Sequence, residues 1–169
     1  MITKTNSKNK THSIATYSDC GCYRYSLSRV WEHKKKKLTF VLLNPSTATE
    51  LQNDPTVERC ERRARTLGFG GFLVCNIFAW RGTSPEKMKK AYDPIGNHND
   101  NAILDACVWG DTIICAWGTH GSHLNRGETV LKMIKTISKN LYHLGLTKAG
   151  YPKHPLYISY NQNPIKWKK

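Results

Sequence analysis

Three places in this chain set polar side chains where they could bind or transform a ligand. The first is LLNPSTATELQNDPT, residues 42–56, in which an apolar run meets Asn44-Pro45-Ser46-Thr47 and Asn53-Asp54-Pro55-Thr56 follows. An asparagine side chain offers two N–H donors and a carbonyl acceptor, enough to hold a water or the polar edge of a ligand. Pro45 removes a backbone donor and constrains the turn, and capping that turn is an equally good use of Asn44. Asp54 can serve as a base or electrostatic partner, or cap a helix opening at Pro55. The second place is Asn76, after Val74-Cys75 in an apolar run. A buried amide must find partners or cost about 1–3 kcal/mol, so Asn76 either ties neighbouring loops together or reads a ligand's polar edge. The third is Lys153-His154-Pro155, where an imidazole can donate to a developing anion, exchange a proton, or pack. His120 and His123, in WGTHGSH, sit in a glycine-rich connection that tolerates many residues. The stretch ERCERRAR brings Arg59, Arg62 and Arg63 to one side of a helix, with Glu58 and Glu61 offsetting part of the charge. That pattern suits phosphate contacts and a solvated face alike.

Alternating strands and helices would have to position these groups. Tyr23, Tyr25 and Leu27 alternate with Arg24, Ser26 and Ser28, the period of a strand with one wet face. Leu38 to Leu43, Phe72 to Ile77 and Thr112 to Ala116 are apolar throughout, as in the buried strands of a parallel sheet. Helices are predicted over Pro55 to Leu67, from Ser84-Pro85 onward, over Asn97 to Trp109 and over Glu128 to Leu141, the last from a stripe of Val130, Leu131, Ile134 and Ile137. GYPKHPLYISYN is a short extended segment bracketed by prolines. The alternation predicts an α/β fold: a three-layer α/β/α sandwich with a central, mostly parallel four-stranded sheet. In such sheets ligands bind beyond the carboxyl ends of the strands, and each buried strand here ends in polar residues: Asn44 to Thr47, Asn76 to Arg81, Gly118 to His120.

With 169 residues the chain fits one domain: residues 1–16, which lack an apolar period, read as a flexible basic arm, and 17–169 as a single α/β unit. Its 26 Lys and Arg against 12 Asp and Glu leave a net charge of +14, a field that attracts polyanions. DNA is the expected partner, with RNA or a free nucleotide as variants. Part of the charge sits in lysine runs such as Lys34 to Lys37, which are also explained by solvation alone. No run of about eighteen apolar residues suggests a membrane helix. A polar, lysine-rich start and six dispersed cysteines suggest a reducing cytoplasm. The Cys20-Gly21-Cys22 pair has no second close pair beside it, so neither metal nor cofactor is expected. Phosphate-cradling P-loops, GxGxxG fingerprints, HExxH and GxSxG are all missing, which argues against nucleotide triphosphatase, dehydrogenase, zinc protease and hydrolase-elbow chemistries.

YRYSLSRVW, LNPSTA, NDPT, VCNIFAWRGTSP, CAWGTHG and GYPKHPLYI together resemble the domain-of-unknown-function family 1643 over residues 21–159. The order and spacing of these segments also resemble the uracil-DNA glycosylase superfamily. That second resemblance implies a uracil-DNA-glycosylase-like fold and three roles. Asn44, in LLNPS, would position the water that attacks the sugar carbon. Asn76, in VCNIF, would read the base edge, and His154, in KHPLY, would stand beside the departing base. Leu43, Ser46 and Leu156 depart from the small residues those motifs carry, which bears on the shape of any base pocket.

The resulting expectation is a nucleic-acid-binding protein with glycosylase-type chemistry, flipping out a modified base and hydrolysing its N-glycosidic bond. Asn44, His154 and Asp54 would be catalytic. Asn76, Pro45, Ser46, Phe78 and Trp117 would hold the base, and Arg59, Arg62, Arg63, Arg81 and Lys153 would meet phosphates. The alternatives are a catalytically silent module that binds a base, nucleotide or DNA, with aromatics such as Trp80, Trp117 and Tyr151 for stacking, or an inhibitor that captures a nucleotide or a DNA-binding protein in a phage–host conflict.

Overall fold

The computed structural model describes residues 1–137 and 140–168. At its centre β4 (Lys37–Leu42) lies between β5 (Gly71–Asn76) and β6 (Thr112–Cys115), parallel to both, and β7 (Leu141–His143) is parallel to β6. On the far side of β5 the sheet continues antiparallel through β3 (Arg24–Val30), β2 (Thr11–Tyr17) and β1 (Ile2–Lys8). A two-residue β8 (Ile165–Lys166) closes the other edge antiparallel to β7. The strand order is β1-β2-β3-β5-β4-β6-β7-β8.

Period-two side-chain alternation divides the apolar strand residues between two faces. On one face Leu38, Phe40 and Leu42 of β4, with Phe72 and Val74 of β5, meet Val57, Cys60 and Ala64 of α1 (Pro55–Thr66). The small residues at Cys60 and Ala64 let α1 lie close to the sheet. On the other face Val41, Cys75 and Cys115 meet Ile103, Ala106 and Cys107 of α3 and Val130, Leu131 and Ile134 of α4. Here α3 is Asn99–Trp109 and α4 is Arg126–Lys135, while the short α2 (Pro85–Lys89) follows β5. Asp54 caps α1, its Oδ1 accepting from Val57 N at 2.9 Å, and Ser84 caps α2.

Four sequence expectations need correction. The sheet is not a four-stranded, mostly parallel layer within a three-layer sandwich: it is an eight-stranded mixed sheet, and among the described residues four of its seven pairings are antiparallel. The cause is the stretch 1–16, expected as a flexible arm: β1 and β2, from Ile2 to Tyr17, form a hairpin. Asn9 and Lys10 take left-handed conformations (φ 48° and 61°), the two-residue turn that matches strand twist. The inward residues of β2 are Ser13, Ala15 and Tyr17, too small and polar to announce an apolar period. With the hairpin beside it, β3 becomes an interior strand, and its expected wet face is not wet: Arg24 and Ser28 are buried, as is Arg29, the two arginines bonded to the 48–53 segment. The last predicted helix ends at Lys135; Leu141 opens a strand, and the expectation for 138–139 lies outside the described residues.

Candidate functional site

A cavity of about 590 Å³ opens where β4 and β6 end. Its floor and walls come from Leu43, Asn44 and Ser46 after β4, Asp54 to Thr56 at the start of α1, and Trp117 to His120 after β6. Gly82 and Thr83 close a third side, and Lys153, His154 and Leu156 to Ile158 a fourth. Parallel strands end together, so segments far apart in sequence share one rim.

Asn44 donates through Nδ2 to the carbonyls of Gly82 (2.8 Å) and Pro45 (3.2 Å). Two carbonyl acceptors identify that end as the amide nitrogen, and Oδ1 makes no hydrogen bond to any described residue. The side chain is thus held by its donor end, and its acceptor is uncommitted on a residue that lines the cavity. Gly82 is locked in turn by its own N–H to Pro45 O at 2.9 Å. A Cβ at Gly82 would lie 2.2 Å from the Trp80 ring, which explains glycine there.

Asp54 is the one carboxylate in the lining among the described residues. Besides capping α1 it accepts Ala48 N through Oδ2 at 3.2 Å. His154 begins a short 3₁₀ turn, Pro155–Tyr157, and its Nδ1 accepts Leu156 N at 3.4 Å. Burial pushes the imidazole pKa down to about 4, against the opposing pull of the Asp54 carboxylate. At neutral pH the ring is therefore uncharged, with Nδ1 as acceptor and the proton on Nε2, a donor without net charge.

Two sets of arginines hold the surrounding loops. Arg24, 2% exposed, donates to Ala48 O, and burial lowers its guanidinium to about 10 while Asp54 opposes the shift. Arg29 reaches Asn53 Oδ1 at 2.8 Å and Thr49 O at 2.9 Å, and Asn53 Nδ2 donates to Glu58 and Glu61. Tyr17 adds a bond from its hydroxyl to Glu50 at 3.1 Å. From α1, Arg59 donates to Pro155 O and Ile158 O, and Arg63 to Ser159 O and Gln162 O. Both guanidinium groups also lie over the Tyr160 ring, at 4.6 and 5.7 Å. The segment that carries His154 is thereby clasped to α1.

Asn44, Ser46, Asp54, Trp117, Lys153 and His154 all line the cavity. Pro45 lies beside it, bonded to Gly82. Asn76 does not line it: Asn76 is 2% exposed at the end of β5, its backbone carbonyl accepting from Asn99 Nδ2 at 3.0 Å and its Oδ1 buried without a partner. Phe78 is likewise buried away from the cavity, in the core beneath α3 and α4, with its ring 5.7 Å from His123. Arg59 and Arg63 are occupied by the 155–162 carbonyls, Arg62 is exposed and paired with Glu58, and Arg81 donates to Gly21 O at 3.0 Å. The lysine run 34–37 precedes β4 and so stands at the end of the sheet opposite the cavity. Sequence reasoning missed Arg24, Arg29 and Gly82, the three residues that shape the 44–54 loop. For the arginines no local signal existed, because their partners, Ala48, Thr49 and Asn53, lie 20 or more residues away in the chain.

Among the described residues no group of three His, Cys, Asp or Glu side chains could hold a metal ion, and no helix is long and apolar enough to cross a membrane. A family model described as "Protein of unknown function (DUF1643)" matches residues 24–156. No curated protein and no solved structure matches the chain. The matched span contains every strand end that opens on the cavity, together with Asn44, Asp54, Trp117 and His154, and the chain belongs to the DUF1643 family.

Proposed function

We propose that this cavity takes a nucleobase presented by a nucleic acid and hydrolyses its N-glycosidic bond. The observation that carries the reading is the convergence on one cavity of a free amide acceptor (Asn44 Oδ1), a single carboxylate (Asp54) and an uncharged imidazole (His154). Each suits one part of that reaction. Asn44 Oδ1 accepts a hydrogen bond from the attacking water and orients its oxygen toward C1′. Asp54 stabilises positive charge developing on the sugar and receives the water's proton as the new C–O bond forms. The C1′–N bond breaks with its electron pair going to the base, where the His154 Nε2–H meets the developing negative charge. An uncharged donor in a dry site suits this last role, because it stabilises an anion without first having to be desolvated as a cation.

The net charge of +14 supports a polyanionic substrate, and Lys153 at the cavity supplies a cation at the rim. The likeness of LLNPS and KHPLY to glycosylase motifs points the same way. With Asn76 outside the cavity, reading of the base edge falls to Ser46. The test is incubation of the purified protein with oligonucleotides that each carry one modified base, assayed for free base and for abasic sites. Release from at least one substrate is expected, reduced about a hundredfold or more in Asn44→Ala and His154→Ala. Binding without release from any substrate would make the site a recognition module, and failure to bind DNA or RNA at low salt would overturn the reading.

A further inference from the structure

Six cysteines divide into two classes. Cys60, Cys75, Cys107 and Cys115 are buried in the two cores, and burial pushes every one of those thiols up, Cys107 to about 12. Cys20 and Cys22 are exposed on the turn that leads into β3. Ser18 Oγ lies 3.3 Å from Cys20 Sγ, and the Cys22 thiol folds back toward Cys20, its Sγ 3.8 Å from Cys20 O. Hydrogen bonds from Ser18, then from the backbone and thiol of Cys22, hold the Cys20 thiol below the ordinary range, while Cys20 pushes that of Cys22 up. Between them Gly21 has φ +70° and open space around it, which permits a tight ring. Cys20 also borders a cleft of about 270 Å³ that contains the stacked rings of Tyr23 and Tyr25.

We infer that Cys20 and Cys22 form a reversible dithiol–disulfide site, with Cys20 as the attacking thiol and Cys22 as the resolving one. The co-reactant is a small-molecule disulfide. The Cys20 thiolate attacks one of its sulfurs, forming a mixed disulfide and expelling one thiolate. Cys22, losing its proton to solvent, then attacks Cys20 Sγ and expels the second thiolate, so two protein thiols are oxidised and one small disulfide is reduced to two thiols. A ring closed across a single residue is strained, which places this disulfide among the easily reduced kind. The site is independent of the base-binding cavity but adjoins it through the backbone: Cys22 O accepts Arg81 N at 2.9 Å and Gly21 O accepts Arg81 Nη1, next to cavity-lining Gly82.

The experiment treats the native protein with oxidised glutathione at pH 7 and maps the products by peptide mass spectrometry. The wild type is expected to yield a 20–22 peptide lighter by two hydrogens with no retained glutathione. Cys22→Ser is expected to keep glutathione on Cys20, and Cys20→Ser to react at Cys22 roughly tenfold more slowly than Cys20 does in Cys22→Ser. Under urea, with the turn abolished, the rates of the two single variants should converge. Equal rates in the folded variants, glutathione retained on both thiols of the wild type, or disulfide-linked dimers would overturn the assignment.

Discussion

The two polar clusters that flank residues 47–52 read alike in sequence, Asn44-Pro45-Ser46 and Asn53-Asp54-Pro55, yet the fold uses them in opposite ways. Every polar group of the Asn53 side chain is committed: Oδ1 to Arg29, Nδ2 to Glu58 and Glu61. Asn44, which lines the cavity, commits only its donor end, to Gly82 and Pro45, and leaves Oδ1 uncommitted among the described residues. A polar side chain whose bonding capacity is exhausted inside the protein is part of the architecture. One held firmly by half its capacity is prepared for something not yet bound. Asp54 stands between the two cases, since each of its oxygens accepts one backbone N–H and a carboxylate can accept more.

Four experiments sharpen or break this contrast. The largest effect is expected from Arg63→Met, because Arg63 is 2% exposed and its guanidinium satisfies three carbonyls of the 155–162 segment. Leaving Gln162 O without its donor, and Ile158 O and Ser159 O with one donor fewer, should cost about 3 kcal/mol in urea unfolding and lower affinity at the cavity by loosening His154. A loss well below 1 kcal/mol would show that the clasp is dispensable.

The second effect is nearly as large and concerns pH. The folded His154 ring stays neutral down to about pH 4, whereas the unfolded ring takes up a proton near its ordinary 6.5. Between those values the unfolded state binds more protons, so stability falls as pH drops through that window, by up to roughly 3 kcal/mol, and the dependence levels off below it. Urea titrations at several pH values should show this loss in the wild type and a shallower one in His154→Gln. Identical slopes would mean that the ring is not buried as described.

Asn53→Ala comes third. It strips Arg29 Nε of its amide partner and removes two bonds to Glu58 and Glu61, for an expected loss of about 2 kcal/mol with ligand binding unchanged at temperatures where the variant is folded. Asn44→Ala should be the mildest in stability, about 1 kcal/mol or less, because one good hydrogen bond disappears beside solvent. It should also be the most severe in base release. Should the two variants exchange behaviours, with Asn53→Ala folded but inactive and Asn44→Ala unfolded, the distinction drawn between the clusters fails.

Several elements were legible before any coordinates. Asp54-Pro55 announced the start of α1, and the Gly at 68 its end one residue after Leu67, because caps and prolines act through neighbours in the chain. The apolar runs at 38–43, 72–77 and 112–116 became β4, β5 and β6 within a residue at each end, since strands covered on both faces have little room for polar side chains. The β1–β2 hairpin was not legible, because of the inward residues of β2, Ser13, Ala15 and Tyr17, only the last is large, and because the hairpin's stability depends on pairing with β3. The burial of Arg24 and Arg29 was not legible either, because it depends on the 48–53 segment to which they are bonded.

What the sequence by itself determined about this protein is local: where α1 and α2 begin, which strands are buried on both sides, and that Asn44 stands just past the end of one of them. Only the tertiary structure decided that Asn44, Asp54 and His154 share a cavity, that Asn76 lies outside it, and that Arg59 and Arg63 clasp a loop rather than face solvent. The reason is physical. Caps, turns and period-two burial depend on residues a few positions apart, whereas the bonds that consume or spare a polar side chain join residues dozens of positions apart, as Asn44 joins Gly82 and Arg63 joins Gln162.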